Sequence, residues 1–469
     1  MFERSRMSVA DDVGVVYLGD GKVLRAINPA AEGNVRELIN SGLIDDLVCR
    51  GLFPSTWISN TAFNGYDLVL EHERIDVVSY PYEWSPEMLK RVALCIIEVA
   101  EIARQYGYEL KDAHPYNVLF SETRPVFIDL GSIVKIRRQH DWVALKEFYS
   151  SIYGPLKLYQ MGYQSIFHKM WTVNGNGVQL GEYLSIRYGV FRAIGVHRTD
   201  RLIRAWFYLR TCVLDESTLA LENRKFVKLL AWFLSKSKLK AIVGMQDISF
   251  EKIKKKINQL KFSRNSKWSS YQESSGFISK NGISKMPERF QRVLSLIDVL
   301  RPETVIELAA NQGVLSVEIS KKEYVKRVIC TDYDEVAIDQ FFIRCGDSSK
   351  KITPVVCNFV RPFCNPISLD MKDRFKSDLV VVLAVTHHLV LTQNVPIAII
   401  LESICSLSKK YVIVEFMPLG LWDGVSAPVL PEWYTQEWFE EELRKWFTIL
   451  QCSPYEKNRV MYACEKKVA

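Results

Sequence analysis

Thr304-Val305-Ile306-Glu307-Leu308-Ala309-Ala310-Asn311-Gln312-Gly313 is the stretch on which the fold turns. Val305, Ile306 and Leu308 make a short apolar run of the length and character of a buried strand. The run breaks into small residues, and Val314 to Ser320 then reads as a helix. A strand, a tight loop and a helix in that order is how open α/β sheets hold a nucleotide-like ligand at the carboxyl ends of their strands. Small residues let the backbone approach the ligand, and the helix N-terminus faces it.

The same grammar continues downstream. A strand over Arg327–Thr331 closes in Asp332-Tyr333-Asp334, and a helix covers Glu335–Arg344. Strands follow at Thr353–Cys357, ending at Asn358, and at Asp378–Val385, ending at Thr386-His387-His388. Then come a helix at Val395–Ser406, a strand at Tyr411–Glu415, a helix at Thr435–Trp446, and a hairpin of Phe447–Ser453 with Arg459–Glu465. Met286–Leu300 reads as a helix leading into the opening strand. Such alternation predicts a parallel α/β sheet with helices on both faces, here Rossmann-like with an antiparallel hairpin at one edge.

This region resembles the class I S-adenosylmethionine-dependent methyltransferases, whose first loop reads acid-x-Gly-x-Gly-x-Gly. Here it reads Glu307-x-Ala309-x-Asn311-x-Gly313. Two glycines are replaced, by a residue nearly as small and by one that tolerates positive φ. The resemblance implies S-adenosyl-L-methionine as cofactor, held by Glu307, Ala309, Asn311 and Gly313. It places Asp332 on the ribose hydroxyls and Asn358 on the adenine amine. His387 and His388 follow the fourth strand, where the family contacts the acceptor or the methionine moiety. Because the sulfonium is already activated, alignment of the acceptor supplies most of the rate. A base matters only for a hydroxyl or a protonated amine. His387, His388 and Glu415 are the candidates; the plainer reading is that one histidine caps a helix and the other packs. Trp268, Tyr271 and Phe277 precede the domain as a candidate lid or as ordinary packing.

The first half of the chain has a different pattern. Val15–Leu18 and Lys22–Ile27 flank Gly19-Asp20-Gly21 as a hairpin. Asn34–Cys49 reads as one helix capped by Asn34, with strands at Tyr66–Glu71 and Val77–Tyr80. An amphipathic helix runs over Ser85–Tyr106, with Leu89, Val92, Ala93, Ile96, Ile97 and Ala100 on one face. Lys111-Asp112-Ala113-His114-Pro115-Tyr116-Asn117 precedes Pro125-Val126-Phe127-Ile128-Asp129-Leu130-Gly131. The order resembles the catalytic and metal loops of protein kinases and aminoglycoside-type phosphotransferases, so an α+β kinase-like domain is expected. The resemblance gives Asp112 the acceptor hydroxyl, and gives Asn117 and Asp129 a Mg2+ ion with ATP if the site is live. Arg25 stands where a phosphate-binding Lys is expected, with Glu32 or Glu37 as partner. There is no glycine-rich phosphate loop, and Arg does not replace Lys conservatively.

The residues 142–243 are rich in aromatic and aliphatic side chains and read as mainly helical, over Trp142–Gln160, Tyr183–Phe191, Asp200–Leu209 and Lys225–Phe233, with a loop at Asn174–Gly177. Phe250–Ser284 is polar and basic and reads as a linker. The expected division is a small α+β lobe at 1–84, a helical lobe at 85–249, a basic linker and lid segment at 250–285, and the methyltransferase domain at 286–469.

Over nearly its full length the chain also resembles a bacterial group of methyltransferases that includes nodulation host-specificity proteins. The shared residues are Ser79-Tyr80-Pro81-Tyr82-Glu83-Trp84-Ser85, the Lys111–Asn117 loop, Pro125–Asp129, the Asn-x-Gly cofactor loop and the His pair. That resemblance implies methyl transfer and suggests carbohydrate-linked acceptors.

The bulk properties agree. With 469 residues, 48% apolar and 25% charged, the chain is an ordinary multidomain globular protein. No apolar run approaches the ~20 residues of a membrane helix, and Met1-Phe2-Glu3-Arg4 lacks a signal peptide's apolar core. Ten cysteines without a CxxC pair read as reduced thiols of a cytoplasmic protein. Much of the net +7 charge lies between Lys252 and Lys267, as a solvated face or as a dock for an anionic partner. No nucleic-acid module is recognisable. Three functions fit: a methyltransferase acting on a glycan or other small-to-medium acceptor positioned by the N-terminal module, a bifunctional kinase-methyltransferase acting on a polymer end, and a non-catalytic cofactor-binding scaffold.

Overall fold

In the computed structural model the described residues are 2–6, 8, 11–136, 142–172, 177–178, 249–262, 265–266, 268–269, 271–279, 282–283, 286–346, 350–365, 368–422, 424–426 and 428–467. The helices expected at Tyr183–Phe191, Asp200–Leu209 and Lys225–Phe233 lie outside them, as do residues 174–176, Arg264 and Lys267. The chain forms two units that interleave in sequence. The first holds residues 1–74, 89–118 and 126–262; the second holds 75–88, 119–125 and 263–469.

The first unit is α+β. Its elements begin with β1 (Glu3–Arg4), β2 (Gly14–Gly19), β3 (Lys22–Ile27), α1 (Glu32–Asn40), α2 (Leu43–Cys49), β4 (Thr56–Ile58) and β5 (Val69–His72). The strands form an antiparallel sheet in the order β1-β2-β3-β5-β4. Asp20 and Gly21 turn the β2–β3 hairpin with φ of 50° and 76°, the left-handed pair a two-residue turn requires. The helix expected over Asn34–Cys49 is two helices, because Gly42 adopts φ 80° between them. The N-cap is Ala31, with no side-chain cap, and not Asn34.

Helix α3 (Pro86–Gln105) buries Leu89, Val92, Ala93, Ile96, Ile97 and Ala100 as its spacing requires. After it come β6 (Tyr108–Leu110), β7 (Val118–Ser121), β8 (Arg124–Phe127) and β9 (Ile133–Lys135). Strands β6 and β9 pair with each other, as do β7 and β8. The helical reading of Trp142–Gln160 holds only in pieces: a turn of helix at Leu145–Phe148, a π turn at Tyr149–Tyr153, and α4 (Gly154–Gln160). The basic stretch is not all linker. Helix α5 (Phe250–Asn258) is capped by the Ser249 hydroxyl and buries Phe250, Ile253 and Ile257 in the first unit. Lys254 pairs with Glu101, and Lys252 and Lys255 stay exposed.

The second unit continues with β10 (Ile278–Ser279), β11 (Gly282–Ile283), α6 (Glu288–Leu300), β12 (Thr304–Leu308), α7 (Val314–Ser320), β13 (Arg327–Asp332), α8 (Glu335–Cys345) and β14 (Ile352–Val356). It ends with β15 (Ser377–Val382), α9 (Thr386–Leu391), α10 (Ile397–Leu407), β16 (Ser408–Phe416), α11 (Gln436–Trp446), β17 (Phe447–Glu456) and β18 (Arg459–Lys466). The sheet order is β14-β13-β12-β15-β16-β18-β17. Five strands are parallel, and β18 runs antiparallel to both neighbours. The chain steps outward on one side from β12 and then jumps to β15 on the other. A crevice therefore opens at the carboxyl ends of β12 and β15, where the connections diverge. This is a mixed α/β sheet of Rossmann-like order with an antiparallel strand near one edge. Among the described residues, no helix is long and apolar enough to cross a membrane.

The second unit also claims a stretch that the sequence reading placed in the N-terminal lobe. Residues 77–80 form no strand; they lead into a 3-10 turn at Pro81–Glu83, which begins with a residue lacking an N–H. Glu83 is buried there against Arg374, with contacts of 2.6 and 2.8 Å from the two guanidinium nitrogens. Arg374 also donates to the Val78 carbonyl at 2.6 Å and lies 4.5 Å over the Tyr80 ring. The Trp84 ring packs edge-on to Phe120, and Phe120 edge-on to Phe342 of α8. The Asp339 carboxylate accepts the Glu87 N–H at 3.0 Å. The Ser79–Ser85 stretch is thus part of the second unit's core.

Arg374→Ala should lower the unfolding free energy by about 3–5 kcal/mol, because it leaves the buried Glu83 carboxylate without a cation, with only the Tyr80 N–H on it. An Arg374→Met, Glu83→Met double variant should recover most of that loss in urea denaturation; equal losses in the two variants would refute the pairing.

Candidate functional site

The loop after β12 is left-handed at the three glycine positions of the pattern, although only the last of them is a glycine. Ala309, Asn311 and Gly313 have φ of 55°, 53° and 66°, alternating left-handed residues at the expected positions. The third position is closed to any side chain. A Cβ on Gly313 would lie 2.7 Å from the Phe341 ring and 2.9 Å from the Cys330 sulfur. Glu307, at the end of β12, is buried and accepts a 2.5 Å hydrogen bond from the Ser316 hydroxyl on α7. Burial pushes its carboxyl up to about 7 against that hydrogen bond.

Asp332 ends β13 beside this loop. One carboxylate oxygen accepts the Asn311 N–H at 2.7 Å and the other accepts the Asp334 N–H at 2.7 Å. Burial raises its carboxyl to about 6, opposed by these backbone donors. Each oxygen keeps a second lone pair for a ligand hydroxyl. Asn358, after β14, uses its side-chain oxygen on the N–H groups of Val360 and Arg361, at 3.1 and 2.9 Å. That oxygen is already engaged, so its NH2 is the group free to meet a ring nitrogen.

A segment ahead of α6 lies against the cofactor loop. Asn311 Nδ2 donates to the Trp268 carbonyl and Gln312 Nε2 to the Ser269 carbonyl, each at 2.8 Å. Gln272 Nε2 donates to the Ala310 carbonyl at 3.2 Å, and the Ser266 hydroxyl bonds Asp334. Of the candidate lid residues, Trp268 and Tyr271 belong to this strap, whereas Phe277 packs on Phe290. The opposite oxygens of Asn311, Gln312 and Gln272 are buried with no partner. An unmet buried acceptor costs ~1–3 kcal/mol. Three of them around one loop fit a ligand that donates hydrogen bonds and carries positive charge, as S-adenosyl-L-methionine does. Sequence reading missed Gln272 and Gln312, which carry no motif.

His387 and His388 open α9 at the end of the fourth parallel strand, with ring centroids 4.2 Å apart. The His388 ring lies 5.2 Å from Trp268, which is 40% exposed, and so links the pair to the strap. His387 is buried and its Nδ1 has no partner. Burial, then His388 and Arg459, hold its imidazole down to about 3. It is neutral at physiological pH and a poor store for a proton, which counts against the candidate base role. Glu415 is withdrawn from that role too. It is fully buried, with Arg459 at 2.7 Å, the Ala384 N–H at 2.8 Å and the Tyr455 hydroxyl on its carboxylate. It ties the terminal hairpin to the turn before α9, where Ala384 takes φ 51°. Tyr455 and Arg459, 40 and 44 residues along the chain, had no signal near Glu415 in sequence.

The first unit brings its own expected residues together. Asp112, Asn117 and Asp129 line a cleft of about 350 Å3 with Arg25, Lys111, Asp11 and Asp12. The Ser132 hydroxyl sits among them, 2.7 Å from Asp129, 3.2 Å from Asn117 and 3.4 Å from Asp112. Arg25 reaches to 4.0 Å from Asp129 and pairs with Asp11. It does not pair with Glu32 or Glu37, which bind Arg36 and Lys135 instead. Burial raises the Asp112 carboxyl, with Asp129 also raising it and Lys111 opposing. Burial also raises Glu147, which accepts the Ala113 N–H at 2.7 Å. Among the described residues, no group of three or more His, Cys, Asp or Glu side chains is arranged to hold a metal ion.

The chain is 26% identical over 435 residues to nodulation protein NoeA of Rhizobium meliloti (strain 1021), a match spanning 88% of this chain and 84% of that one. No family model matches it. Among solved structures it is similar to the PH0226 protein of Pyrococcus horikoshii OT3, at 14% identity and TM-score 0.32, over 42% of this chain and 99% of that one. It is also similar to the N-methyltransferase NodS of Bradyrhizobium japonicum WM9, solved with S-adenosyl-L-homocysteine, at 12% identity and TM-score 0.31, over 42% of this chain and 98% of that one.

Two substitutions test the loop. Ala309→Gly relieves a left-handed alanine costing ~1–2 kcal/mol and should raise the melting temperature by a few degrees. Gly313→Ala should destabilise by at least ~2 kcal/mol through overpacking on Phe341. Opposite signs are required. Glu307 gives a pH test. Its folded-state pKa is raised above the unfolded value, so its contribution is fully present below about pH 4.5 and is lost as pH rises through about 7. Glu307→Gln should therefore stabilise the protein by about 1–3 kcal/mol at pH 8 and flatten stability across that window; an unchanged pH profile would exclude the buried carboxylate as its source.

Proposed function

We propose that this chain is an S-adenosylmethionine-dependent methyltransferase acting on a glycan or other small-to-medium acceptor. The carrying observation is the loop at 309–313, left-handed at every second residue, beside the Asp332 carboxylate. S-adenosyl-L-methionine supplies a methyl group already activated by its sulfonium. The protein's part is to bind and align. The loop backbone and Gly313 allow close approach, Asp332 takes the ribose hydroxyls through its free lone pairs, and the Asn358 NH2 meets the adenine edge. Glu307 holds α7 on β12 through Ser316. Neutral His387 offers Nδ1 as hydrogen-bond acceptor to the N–H or O–H of the acceptor, which aims the attacking lone pair. The proton then leaves to solvent. The first unit presents the acceptor. A glycan-linked acceptor is what the resemblance to nodulation host-specificity proteins suggests.

Calorimetry with S-adenosyl-L-homocysteine tests this. Binding should be lost or weakened at least ~100-fold in Asp332→Ala, which removes two hydrogen bonds to a charged group. His387→Ala should leave that binding intact while lowering methyl transfer to a glycan acceptor. Absence of binding by the pure protein would remove the proposal; binding without methyl transfer to any acceptor fraction would favour the scaffold.

A second reading rests on Ser132, whose hydroxyl gathers Asp112, Asn117 and Asp129 in one cleft. Under it the first unit is a phosphotransferase module, with Asp112 on an acceptor hydroxyl and with Asn117 and Asp129 on magnesium. It requires magnesium-dependent ATP turnover that Asp129→Ala abolishes; no turnover with any nucleoside triphosphate would exclude it.

A further inference from the structure

The acids of the N-terminal segment occupy the cations of the first unit's cleft. Asp11 Oδ2 bonds Arg25 Nη1, and Asp11 Oδ1 accepts the N–H groups of Val13 and Gly14 at 3.0 and 3.3 Å. Asp12 Oδ1 takes Lys111 Nζ at 2.8 Å. A guanidinium and two converging backbone N–H groups are the donors that bind a phosphate oxygen. The carboxylate of Asp11 therefore stands where such an oxygen would stand. Arg25 is 6% exposed, lines the cleft, and keeps its Nε–H buried without a partner. Its other arm faces Asp129 at 4.0 Å. A Cβ on Gly131 would lie 3.0 Å from Asp11 Oδ1 and 3.3 Å from Asp129 Oδ1, so a side chain there would press on both carboxylates.

We propose that Asp11 is an internal anion that occupies a phosphate-binding position in this cleft, so that a phosphate-bearing ligand binds by displacing it. The inference rests on the second reading above only for the cleft's location, and it does not require phosphoryl transfer. The two cations of the cleft do not balance its carboxylates. With Asp11 and Asp12 in place, Arg25 and Lys111 are neutralised and Asp112 and Asp129 leave the cleft negative, which repels a phosphate. When Asp11 leaves, the excess of carboxylates over cations in the cleft is halved, and the Arg25 Nη1 and the Val13 and Gly14 N–H groups that Asp11 held become available to a phosphate oxygen. Lys111 is a lesser part, because its partner Asp12 is largely exposed and the pair is solvent-screened.

The test uses the full chain and pyrophosphate as probe, without metal. Asp11→Asn keeps an oxygen for the Val13 and Gly14 N–H groups and removes the negative charge that faces Arg25. It should bind pyrophosphate about tenfold tighter than the wild type, or better. Adding Arg25→Gln should erase the gain, and Asp12→Asn alone should change affinity less than Asp11→Asn. Asp11→Ser provides the same test if the asparagine variant melts early. Equal affinity in wild type and the Asp11 variants, no binding in any of them, or a gain that survives Arg25→Gln would each overturn the proposal. Binding of S-adenosyl-L-homocysteine in the same samples reports separately on the methyltransferase reading, and ATP turnover reports separately on phosphoryl transfer.

Discussion

The second unit depends on one constraint: the backbone between β12 and α7 turns left-handed at alternate residues against a wall that admits no side chain at Gly313. Everything near it serves that path. Phe341 and Cys330 press on Gly313 from α8 and β13, so no side chain fits there. Asp332 fixes the Asn311 N–H from the neighbouring strand. The side chains of Asn311, Gln312 and Gln272 knit the loop to the Trp268 strap. The residues that replace glycines and flank them have thereby taken on a second task. Asn311 adopts the conformation a glycine would and also spends its amide on the strap, which a glycine cannot do. Ala309 has only the strain, and it is the position where the loop is least adapted.

At the other end of the crevice, the charges are arranged to be static. Glu415 is gripped by Arg459, Tyr455 and a backbone N–H, which fixes the turn that starts α9. His387 is kept neutral by burial beside that arginine. Neither Glu415, held by its partners, nor neutral His387 is placed to store a proton. The first unit is built on the opposite plan. Its cleft gathers unbalanced charge around Ser132 and Arg25, and its acids compete for few cations.

The fold of the second unit was legible because it is local. The apolar runs of β12, β13, β15 and β16, the helical periods between them, and the small residues after Leu308 each declare themselves within ten or so residues. The element types survived, with ends shifted by one to three positions. Single side chains were less legible. Asp332 and Gly313 stand where strand ends and steric limits put them. Asn34 is not a cap, since the helix begins earlier, and Gly42 splits a helix that its periodicity leaves continuous. Val77–Tyr80 has the composition of a strand but no partner edge to pair with.

What the sequence alone determined, then, is the strand–loop–helix grammar, the acids at strand ends and the order of elements, because these depend on neighbours along the chain. Only the tertiary structure decided which charges meet. It joined Ser79–Ser85 to Arg374 across nearly three hundred residues, gave Glu415 to Arg459, and gave Arg25 to Asp11 in place of Glu32 or Glu37. Ion pairs of this kind follow from burial and distance in space, and a sequence records neither. The Thr304–Gly313 stretch shows both sides: Asn311 and Gly313 suit their left-handed turns by their own chemistry, whereas the left-handed Ala309 is held by its surroundings, and the closure to any side chain at 313 comes from Phe341 on a helix that the loop never touches in sequence.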